Sequence, residues 1–544
     1  MTEFRYYDYA VGAKENAVYS SETAFQNGSR YENLKVGIPD YNYSSFELNS
    51  YDPDNPRKLM KETDILAYSS AIQSSEDGSF TNPVVITVEF SEYFIINGLT
   101  LHSKTVITSG QIAYYRDGNV IDEAVFDFSA TDNDHFVECL GLNTNKLTIT
   151  VFSIDKPLHF LDLYEVEFGR LRIFNNTNTS ECSLKETVSV SGQELPIDVL
   201  KISAQNNENS AYLFQRKQPI IIYTDNVEKG TFYIEKGTAN NTNTSIDIEC
   251  YDVIGNLSDE FLGGIYRKKT VKSLITDILR DTDITCEIPE TIGNITLSGY
   301  IPITTQRQAL VYVACATGCI FYKHPTLRIA ELPNSPVTSF NETNIFQIPS
   351  ITTTQEIKGI RLTLHNYSAG AEVVEAYKWY MSTKEQRKIK FSEPLHSLKA
   401  YIVTETTENG ITTETKTPTN AVAFIETGAN YCIVQNTTTQ KICIEGNKYV
   451  DSKDVIERIS PYVTRYQPYT VKEIEGFTLM ADDYSDNILT RMYNHYTKNS
   501  SFSGEVLVNY SNIYAGECIT ALDYTGVIKT RETDFGRISK IEVI

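Results

Sequence analysis

Long apolar runs are missing from this sequence: none approaches the roughly 18 residues that a membrane-spanning helix needs. The amino terminus, MTEFRYYDYAVGAKENAVY, also lacks the basic and apolar segments of a secretory signal peptide. We therefore predict no membrane segment. We expect the chain to be made in a cytoplasm and either to remain there or to leave it by a route other than secretion.

Basic residues are scarce. The 544 residues include 48 Lys and Arg against 70 Asp and Glu, which gives a formal net charge of −22. The first 169 residues hold 26 acidic and 11 basic side chains and carry −15 of that charge. Because tight binding to phosphates requires Lys and Arg, this balance argues against sequence-specific nucleic acid binding. We interpret the acidic first third as a solvated surface.

Recognisable catalytic motifs are also missing. The sequence contains no G-x-S-x-G nucleophile elbow, no H-E-x-x-H, no Walker A loop and no G-x-G-x-x-G. Its seven His are isolated from one another, and its nine Cys form an odd, scattered set that favours reduced thiols over a disulfide framework. We therefore predict that the protein is not an enzyme and has no catalytic, cofactor-binding or metal-binding residues.

Two short clusters have the residue types of a metal site, and for both we favour a plainer interpretation. Cys315 and Cys319 stand four residues apart at a predicted helix end, where buried thiols behave as small apolar side chains. Asp132, Asp134 and His135, in the loop SATDNDH, offer oxygen ligands for Ca²⁺, but acidic loops are more often turns.

Residues that favour β structure are abundant. The sequence has 36 Tyr and 24 Phe against one Trp, and many short alternating segments are separated by Asn, Gly and Asp. This pattern predicts a mainly β fold with a small α/β module, and the length predicts about three to five domains. Trp379 and Tyr380 lie in a predicted strand, where we expect them in the core or in an interface.

Residues 59–169 have the pattern of a jelly-roll β-sandwich, and residues 1–58 precede it as an extended or β segment that ends in SYDPDNPRK. Asp117 and Gly118 supply the positive-φ turn of a hairpin. Alternation along three strands predicts three shared inward faces. These faces are Val84, Ile86, Val88 and Phe90; Leu147, Ile149 and Val151; and Tyr164, Val166 and Phe168.

Residues 170–264 form a second β unit, in which the apolar run Ile220–Tyr223 predicts a strand buried on both faces. Residues 333–544 are again mostly β, and their Thr/Glu-rich segment 403–420 predicts an exposed hairpin tip. Two further features are predicted in this last part, a helix at Ser485–Lys498 and a turn at Gly526.

Residues 265–332, here called the helical module, are the one clearly α/β part of the sequence. Thr270 is placed to cap a helix whose apolar residues recur at helical spacing. Thr305 and Gln308 match a capping box for a second helix, and Gly318 is placed to end that helix in the left-handed conformation. Two more elements are predicted, a turn at Gly299–Pro302 and a closing hairpin around His324 and Pro325.

The order of these parts resembles the hub proteins of phage baseplates and tail tips. The first barrel of that family is similar to ELPIDVLKISAQN and QPIIIYTDNVEKGTFYIEKG, and the corner after it is similar to IDIECYDVIGNLSDE. The two-helix module of the family is similar to TVKSLITDILRDTDI followed by GYIPITTQRQALVYVACATGCIFYKHPTLRI. The second barrel is similar to FSEPLHSLKA and the closing G-E-x-I…G-x-I segment. The resemblance covers residues 170–544.

The resemblance implies two tube-like β-barrel domains, at residues 170–264 and 333–544, in a structural protein without enzymatic activity. We expect residues 1–58 to be a further part of this hub. It implies a homotrimer that joins the sixfold tail tube to the threefold spike or tip of a bacteriophage or phage-tail-like particle. The implied partners are the tail tube or distal tail protein, the spike or tip protein, the tape measure protein and baseplate wedge proteins. The implied location is the virion tail tip or baseplate, assembled in the bacterial host cytoplasm.

Residues 59–169 depart from a minimal hub, and we expect them to be a removable accessory. Their pattern, from SEDGSFTNPVVITVEF to LDLYEVEFG, resembles carbohydrate-binding, discoidin-like modules inserted into some phage tail proteins of Gram-positive bacteria. A second function therefore stays open, a tail adhesin that binds cell-surface carbohydrate of the bacterial wall. A third, a tail-associated peptidoglycan hydrolase, is disfavoured because the sequence lacks a constellation of His, Cys and Glu.

Overall fold

The structure is a computed structural model of the chain. It describes residues 2–26, 68–70, 72–103, 105–127, 134–205, 212–239, 245–345, 349–353, 357–408, 411–461, 470–474, 478–481, 485–496, 500–507, 513–535 and 538–544. The fold is mainly β, as predicted. The chain divides into two compact units. Unit 1 comprises Met1–Ser180, Ser203–Asp225 and Ile234–Glu249, and unit 2 comprises Glu181–Ile202, Asn226–Tyr233 and Cys250–Ile544.

An eight-stranded antiparallel sheet forms much of unit 1. Its central strand, Ser79–Ser103, pairs with Asp134–Ile154 on one side and with Asp162–Glu167 on the other. The remaining strands are Val18–Ser20, Ala24–Gln26, Tyr68–Ser70, Ile107–Arg116 and Asn119–Asp127. The predicted inward faces are confirmed by the burial of Val84, Ile86, Val88, Phe90, Leu147, Ile149, Val151, Val166 and Phe168 in one apolar cluster. The side chain of Tyr164 lies outside what the structure describes.

The hairpin predicted at Asp117 and Gly118 is confirmed. It joins strands Ile107–Arg116 and Asn119–Asp127, and the φ angles of the two turn residues are 50° and 83°. Both angles are positive, as a two-residue type I′ turn requires. The Asp117 amide also donates a hydrogen bond to Oδ1 of Asn145 (3.0 Å), which ties the turn to the neighbouring strand.

Residues before position 59 contribute to the same sheet. Val18–Ser20 pairs with the central strand, and Ala24–Gln26 pairs with another short strand. Ala10 and Ala13 are buried in the apolar cluster of the sheet. A fragment that begins at residue 59 would therefore lack two strands and part of the core.

The strand that holds the apolar run Ile220–Tyr223 does not match the prediction that it is buried on both faces. This strand pairs with the first strand of the chain, Thr2–Tyr9. Ile220 and Ile222 are buried, but the residues that alternate with them are half-buried. Burial alternates in an antiparallel sheet that has one face toward the core, and the apolar composition of the run does not reveal this.

Four strands contain points at which the chain passes from one unit to the other: Thr179–Thr187, Val199–Gln205, Val227–Ala239 and Ser245–Tyr251. The remaining strands of unit 1 are Thr2–Tyr9, Gly169–Phe174 and Pro219–Thr224. Among the residues of unit 1 that the structure describes, the one helix is Ala13–Asn16.

Unit 2 contains the longer helices and several sheets. Its longest strands lie in one five-stranded sheet, here called the long-strand sheet, in the order Ile411–Pro418, Leu395–Glu408, Lys441–Ile459, Ile357–Tyr380 and Thr470–Ile474. A three-stranded sheet consists of Gln386–Lys390, Tyr431–Asn436 and Val422–Thr427. The carboxy-terminal strands are Ser500–Leu507, Cys518–Ala521, Tyr524–Thr533 and Ile538–Val543, with Thr338–Phe340 and Ser350–Thr353 beside them.

The other elements of unit 2 belong to the helical module and its surroundings. The strands are Glu260–Phe261, Gly264–Thr270, Thr296–Ile301, Thr304–Thr305, Ile320–Tyr322, Arg328–Ala330 and Leu479–Ala481. The helices are the 3-10 helix Val253–Asn256 and the α-helices Val271–Ile278, Glu290–Gly293, Gln306–Thr317 and Ser485–Tyr496. The strands Ile320–Tyr322 and Arg328–Ala330 confirm the predicted closing hairpin.

Both main helices of the helical module begin where the sequence predicts. Thr270 precedes Val271–Ile278 and accepts a hydrogen bond from the amide of the third helical residue (3.3 Å). Thr305 precedes Gln306–Thr317 and accepts the equivalent hydrogen bond (3.2 Å). Each hydroxyl satisfies an amide that has no carbonyl partner within its helix. The first helix buries Val271, Leu274, Ile275 and Ile278.

Gly318 ends the second helix in the left-handed conformation, as predicted, with φ 63° and ψ 23°. The Cys319 amide donates to the carbonyl of Ala314 (3.1 Å), and the Gly318 amide donates to that of Cys315 (3.3 Å). These two hydrogen bonds form a Schellman motif, which satisfies carbonyls at the helix end. The chain is thereby turned into the closing hairpin.

We expect Gly318→Ala to lower the free energy of unfolding by about 1 kcal/mol, because a Cβ disfavours positive φ. The added atom would lie 3.5 Å from Arg491 and Ile488, an ordinary contact distance, so backbone strain is the expected cause. Urea unfolding of the full chain measures the difference. Gly318→Asn is the control and should lose less, since Asn tolerates this conformation. Equal stability of the Ala variant and the wild type would contradict the prediction.

Two glycines predicted at turns lie inside strands instead. Gly299 is in Thr296–Ile301, and Gly526 is in Tyr524–Thr533, whose hairpin turn comes earlier, at residues 522–523. A Cβ on Gly299 would stand 2.2 Å from the carbonyl oxygen of Thr478, and one on Gly526 would stand 2.5 Å from a backbone oxygen. Both glycines therefore permit close approach of a neighbouring backbone, which is the other common reason for glycine in a strand.

The last predicted helix is present as Ser485–Tyr496 and buries Ile488, Leu489 and Met492. Its predicted end at Lys498 lies outside the described residues. The Thr/Glu-rich segment 403–420 forms part of a two-stranded hairpin with mostly exposed side chains, as predicted. None of the helices that the structure describes is long and apolar enough to cross a membrane.

Candidate functional site

Six ionisable side chains meet in the interior of unit 2, in a cluster here called the buried ion network. Its members are Glu186, Asp198, Asp252, Lys323, His324 and Arg531. Every one of these side chains is at most 4% exposed. Burying a charge costs free energy unless the charge is paired, so the contacts within the cluster decide what it does.

Three local structures bring the central members together. Lys323 and His324 follow Ile320–Tyr322 at the tip of the closing hairpin. Asp198 directly precedes Val199–Gln205. Asp252 caps a 3-10 helix. Its Oδ1 accepts hydrogen bonds from the backbone amides of Ile254 (3.0 Å) and Gly255 (3.3 Å).

Lys323 is the centre of the network. Its Nζ donates hydrogen bonds to the carbonyl of Thr187 (2.7 Å), to that of Pro196 (2.9 Å) and to Oδ1 of Asp198. Oδ2 of Asp252 lies 3.5 Å from the same nitrogen. All three ammonium protons therefore have acceptors, which is the condition under which a buried Lys stays charged.

His324 and Arg531 supply the other positive charges. Nε2 of His324 lies 3.0 Å from Oδ2 of Asp198, and Nε of Arg531 lies 2.6 Å from Oε2 of Glu186. The His324 ring also stacks on Phe232, with centroids 5.0 Å apart. When His324 is protonated, three cations balance three carboxylates, so the cluster is neutral as a whole.

The pKa shifts follow from burial and pairing. Burial disfavours ionised Asp198, but the charges and hydrogen bonds of Lys323 and His324 outweigh it and lower its pKa. Burial raises the pKa of Asp252 to about 6 against the opposing charge of Lys323. For His324, burial disfavours the imidazolium, yet the hydrogen bond and charge of Asp198 raise its pKa. Asp198 is thus an ionised carboxylate held between two cations.

This arrangement is suited to structure rather than to chemistry. Glu186, Asp198 and His324 have ligand atoms within 4.8 Å of one another, the spacing of a metal site, but Lys323 already occupies the position of a cation against Asp198. The side chains are sealed from solvent and so present no surface to a substrate. The network instead ties the closing hairpin to backbone segments more than 120 residues earlier.

The sequence did not point to this network. The segment that contains His324 predicts only a hairpin, and Asp252 lies in IDIECYDVIGNLSDE, for which the hub resemblance implies only a corner. The one available signal was the placement of Lys323 in an otherwise apolar stretch, CIFYKHPTL, where an unpaired charge would be costly. Its partners are distant in sequence and adjacent only in the fold.

The two predicted metal alternatives have different outcomes. Cys315 and Cys319 are buried, and desolvation raises the pKa of Cys315 to about 12, which disfavours the thiolate that a metal needs. Asp132 lies outside the described residues, and so do the side chains of Asp134 and His135. The described backbone register places Asp134 opposite His102.

A cleft of about 690 Å³ lies in unit 2, between the helical module and the long-strand sheet. Its lining includes Tyr266, Arg267, Lys268 and His365. Nδ1 of His365 lies 2.8 Å from Oδ2 of Asp451, which orients the ring. Among the residues that the structure describes, no Ser or Cys side chain is hydrogen-bonded to His365.

Trp379 and Tyr380 are not core residues. They lie at the end of Ile357–Tyr380 in the long-strand sheet and are 64% and 57% exposed. The alternative, that Trp379 and Tyr380 lie in an interface with another protein chain, stays a prediction. Adjacent exposed aromatic side chains of this size are uncommon on a surface that stays in water and are typical of contact surfaces between proteins.

Beside these aromatics, the long-strand sheet carries a layer of ion pairs. Lys378 contacts Glu414, Lys416 contacts Glu445 (2.6 Å), and Lys441 contacts both Glu405 (2.5 Å) and Glu414 (3.0 Å). The ion pairs span four strands of the sheet, and the same strands contain the buried residues Val403 and Cys443. The layer gives this face of the sheet an ordered, polar surface.

No protein-family model matches the sequence. No curated protein matches it either. Solved structures that align with this chain include the tail protein from Neisseria meningitidis MC58, at 11% identity and a TM-score of 0.38, with coverage of 69% of this chain and 93% of that one. The 43 kDa tail protein of prophage MuSo2 from Shewanella oneidensis is 10% identical, with a TM-score of 0.37 and coverage of 69% and 95%. Prophage tail protein gp18 from Listeria monocytogenes EGD-e is 11% identical, with a TM-score of 0.35 and coverage of 67% and 94%.

Proposed function

We propose that this protein is a structural hub of a phage tail tip or baseplate, a homotrimer that joins a sixfold tail tube to a threefold tip or spike. The observation that carries the proposal is the helical module. Its two capped helices, its glycine-ended second helix and its closing hairpin occur in the order that the hub resemblance requires. The buried ion network then fixes that hairpin to the strands before it.

The chemistry of the described residues supports assembly rather than catalysis. The carboxylates and cations of the buried ion network are enclosed and mutually paired, and the described contact of His365 in the cleft is with an orienting Asp. A rigid adaptor is stabilised by charged groups that are buried and paired with one another, whereas a hydrolase needs its charged catalytic groups exposed to the substrate. In this proposal the partners are the tail tube or distal tail protein, the tip or spike protein and the tape measure protein.

Within the hub, we assign Trp379 and Tyr380 to a contact with another subunit of the trimer. The eight-stranded sheet of unit 1, predicted from the sequence as a jelly-roll sandwich, is proposed as a peripheral part, because the acidic charge of the first 169 residues would oppose close packing of copies. Binding of cell-surface carbohydrate by that sandwich remains a separate hypothesis.

The test uses the only Trp of the chain as its own reporter. We expect multi-angle light scattering at micromolar concentration to give the mass of a trimer. If Trp379 lies in the contact, its fluorescence emission should shift to shorter wavelength as dilute chains assemble, because the indole leaves water. Trp379→Glu should leave a folded monomer, since a buried, unpaired charge opposes the contact.

Val125→Glu is the matched control. Val125 is 74% exposed on the edge strand of the unit 1 sheet, so the same change of an apolar residue to Glu should leave the trimer intact. A monomer at all concentrations, both alone and with tail components, would contradict the hub proposal. A trimer that persists in Trp379→Glu would retain the hub and reject this contact.

A further inference from the structure

A second group of metal-ligand side chains lies in unit 1, away from the buried ion network. His102, near the end of the central strand, stands directly opposite Glu165 in the neighbouring strand. Glu167 is two residues further along that strand and therefore on the same face of the sheet. One ligand atom from each of the three residues lies within 4.8 Å of the others.

The contacts around the group show that its side chains already converge. Nε2 of His102 lies 3.2 Å from Oε2 of Glu167, whose oxygen also accepts a hydrogen bond from the Tyr9 hydroxyl. Lys14 forms an ion pair with Glu165. The three ligand side chains are only 15–18% exposed, whereas Lys14 is 56% exposed. Lys14, which pairs with Glu165, is therefore the most exposed member of the group.

We propose that His102, Glu165 and Glu167 bind a divalent transition-metal ion of the Mn²⁺ or Zn²⁺ type. An imidazole nitrogen combined with two carboxylates suits these ions, whereas Ca²⁺ and Mg²⁺ prefer oxygen ligands alone. Two ligand atoms that each lie about 2.0–2.2 Å from one ion are roughly 3–4 Å apart. The ligand atoms of the three residues lie within 4.8 Å of one another, so shifts of about 1 Å bring them to that separation. Paired strands hold the three Cα positions fixed, and only side-chain torsions need to change.

The proposal gives Lys14 a defined role. Its ammonium group supplies the positive charge beside Glu165. A bound metal ion would supply that charge instead, so the ion must displace the ammonium group on binding. The displacement costs little because Lys14 is 56% exposed, so its ammonium group can return to water. Three protein ligands leave at least one coordination position for water, the arrangement of an open site rather than a closed structural one. The site is independent of the proposed hub role.

The experiment titrates the full chain with Mn²⁺ alone and measures free Mn²⁺ by electron paramagnetic resonance. Mn²⁺ is the better probe because the nine cysteines would compete for Zn²⁺. We expect one ion per chain. His102→Gln and Glu167→Gln should each weaken binding by about tenfold or more. His396→Gln, at a half-buried histidine of unit 2 that belongs to no group of candidate ligands among the described residues, should bind as the wild type does.

Lys14→Met provides the opposite change, because it removes the competing ammonium group and should tighten binding. Circular dichroism would reveal whether a ligand variant misfolds. In that case Lys14→Met still tests the proposal, because it keeps all three ligand side chains. The absence of stoichiometric binding at millimolar Mn²⁺ would overturn the proposal. Equal affinity in the wild type, His102→Gln and Glu167→Gln would also overturn it, as would weaker binding by Lys14→Met.

Discussion

Lys323→Met should lower the free energy of unfolding by about 3–5 kcal/mol, the usual cost of removing one partner from a buried ion pair. The substitution keeps the apolar volume of the side chain but leaves Asp198 and Asp252 without their shared cation. It also leaves the carbonyls of Thr187 and Pro196 without their donor. Urea unfolding followed by circular dichroism measures the change.

Lys529→Met is the matched control, because Lys529 pairs with Glu542 at 3.2 Å but is 41% exposed. Its loss should be within about 1 kcal/mol, as for other surface ion pairs. Adding Asp198→Asn to Lys323→Met should restore part of the stability, since the second change removes the uncompensated carboxylate. A Lys323→Met variant no less stable than Lys529→Met would show that the network does not hold the hairpin.

Short-range features of the fold could be predicted from the sequence. Thr270, Thr305 and Gly318 act through backbone groups at most four residues away, and the turn at Asp117 and Gly118 depends on φ alone. The inward faces of the unit 1 sheet follow from a period of two along each strand. In each case the interacting groups lie within one short segment of the chain, so the sequence of that segment is enough to predict the feature.

Features that depend on distant partners were missed. The sequence around Gly299 is typical of a turn. Glycine is required at this position for another reason, because a Cβ would collide with the backbone of Thr478, which is far along the chain. The burial of Ile220–Tyr223 depends on which face of its sheet is covered. The buried ion network is the extreme case, since Asp198 and Lys323 are 125 residues apart and neither position belongs to a motif.

A second buried ion pair, in unit 1, yields the other large expected effect. Asp8 is fully buried in the first strand, and its Oδ2 lies 2.8 Å from Nε of Arg172. The carboxylate also accepts hydrogen bonds from the Tyr6 hydroxyl (2.7 Å), the Leu213 amide (3.0 Å) and the Asn97 side chain (3.2 Å). One carboxylate therefore joins the amino-terminal strand to three other segments of the same unit.

Asp8→Ala should lower the free energy of unfolding by about 3–5 kcal/mol, because Arg172 would remain buried without its counter-ion and the Leu213 amide and the Asn97 side chain would lose their hydrogen bonds to this carboxylate. Asp8→Asn should lose less, since it keeps one oxygen acceptor and the shape of the side chain. Glu3→Ala in the same strand is the control: Glu3 pairs with Arg5 at 3.4 Å and is 28% exposed, so its loss should be within about 1 kcal/mol. Urea unfolding of the three variants ranks them. If Asp8→Ala and Glu3→Ala unfold at the same urea concentration, the amino-terminal strand is not held by this carboxylate, and the apolar contacts of the strand must account for its place in unit 1.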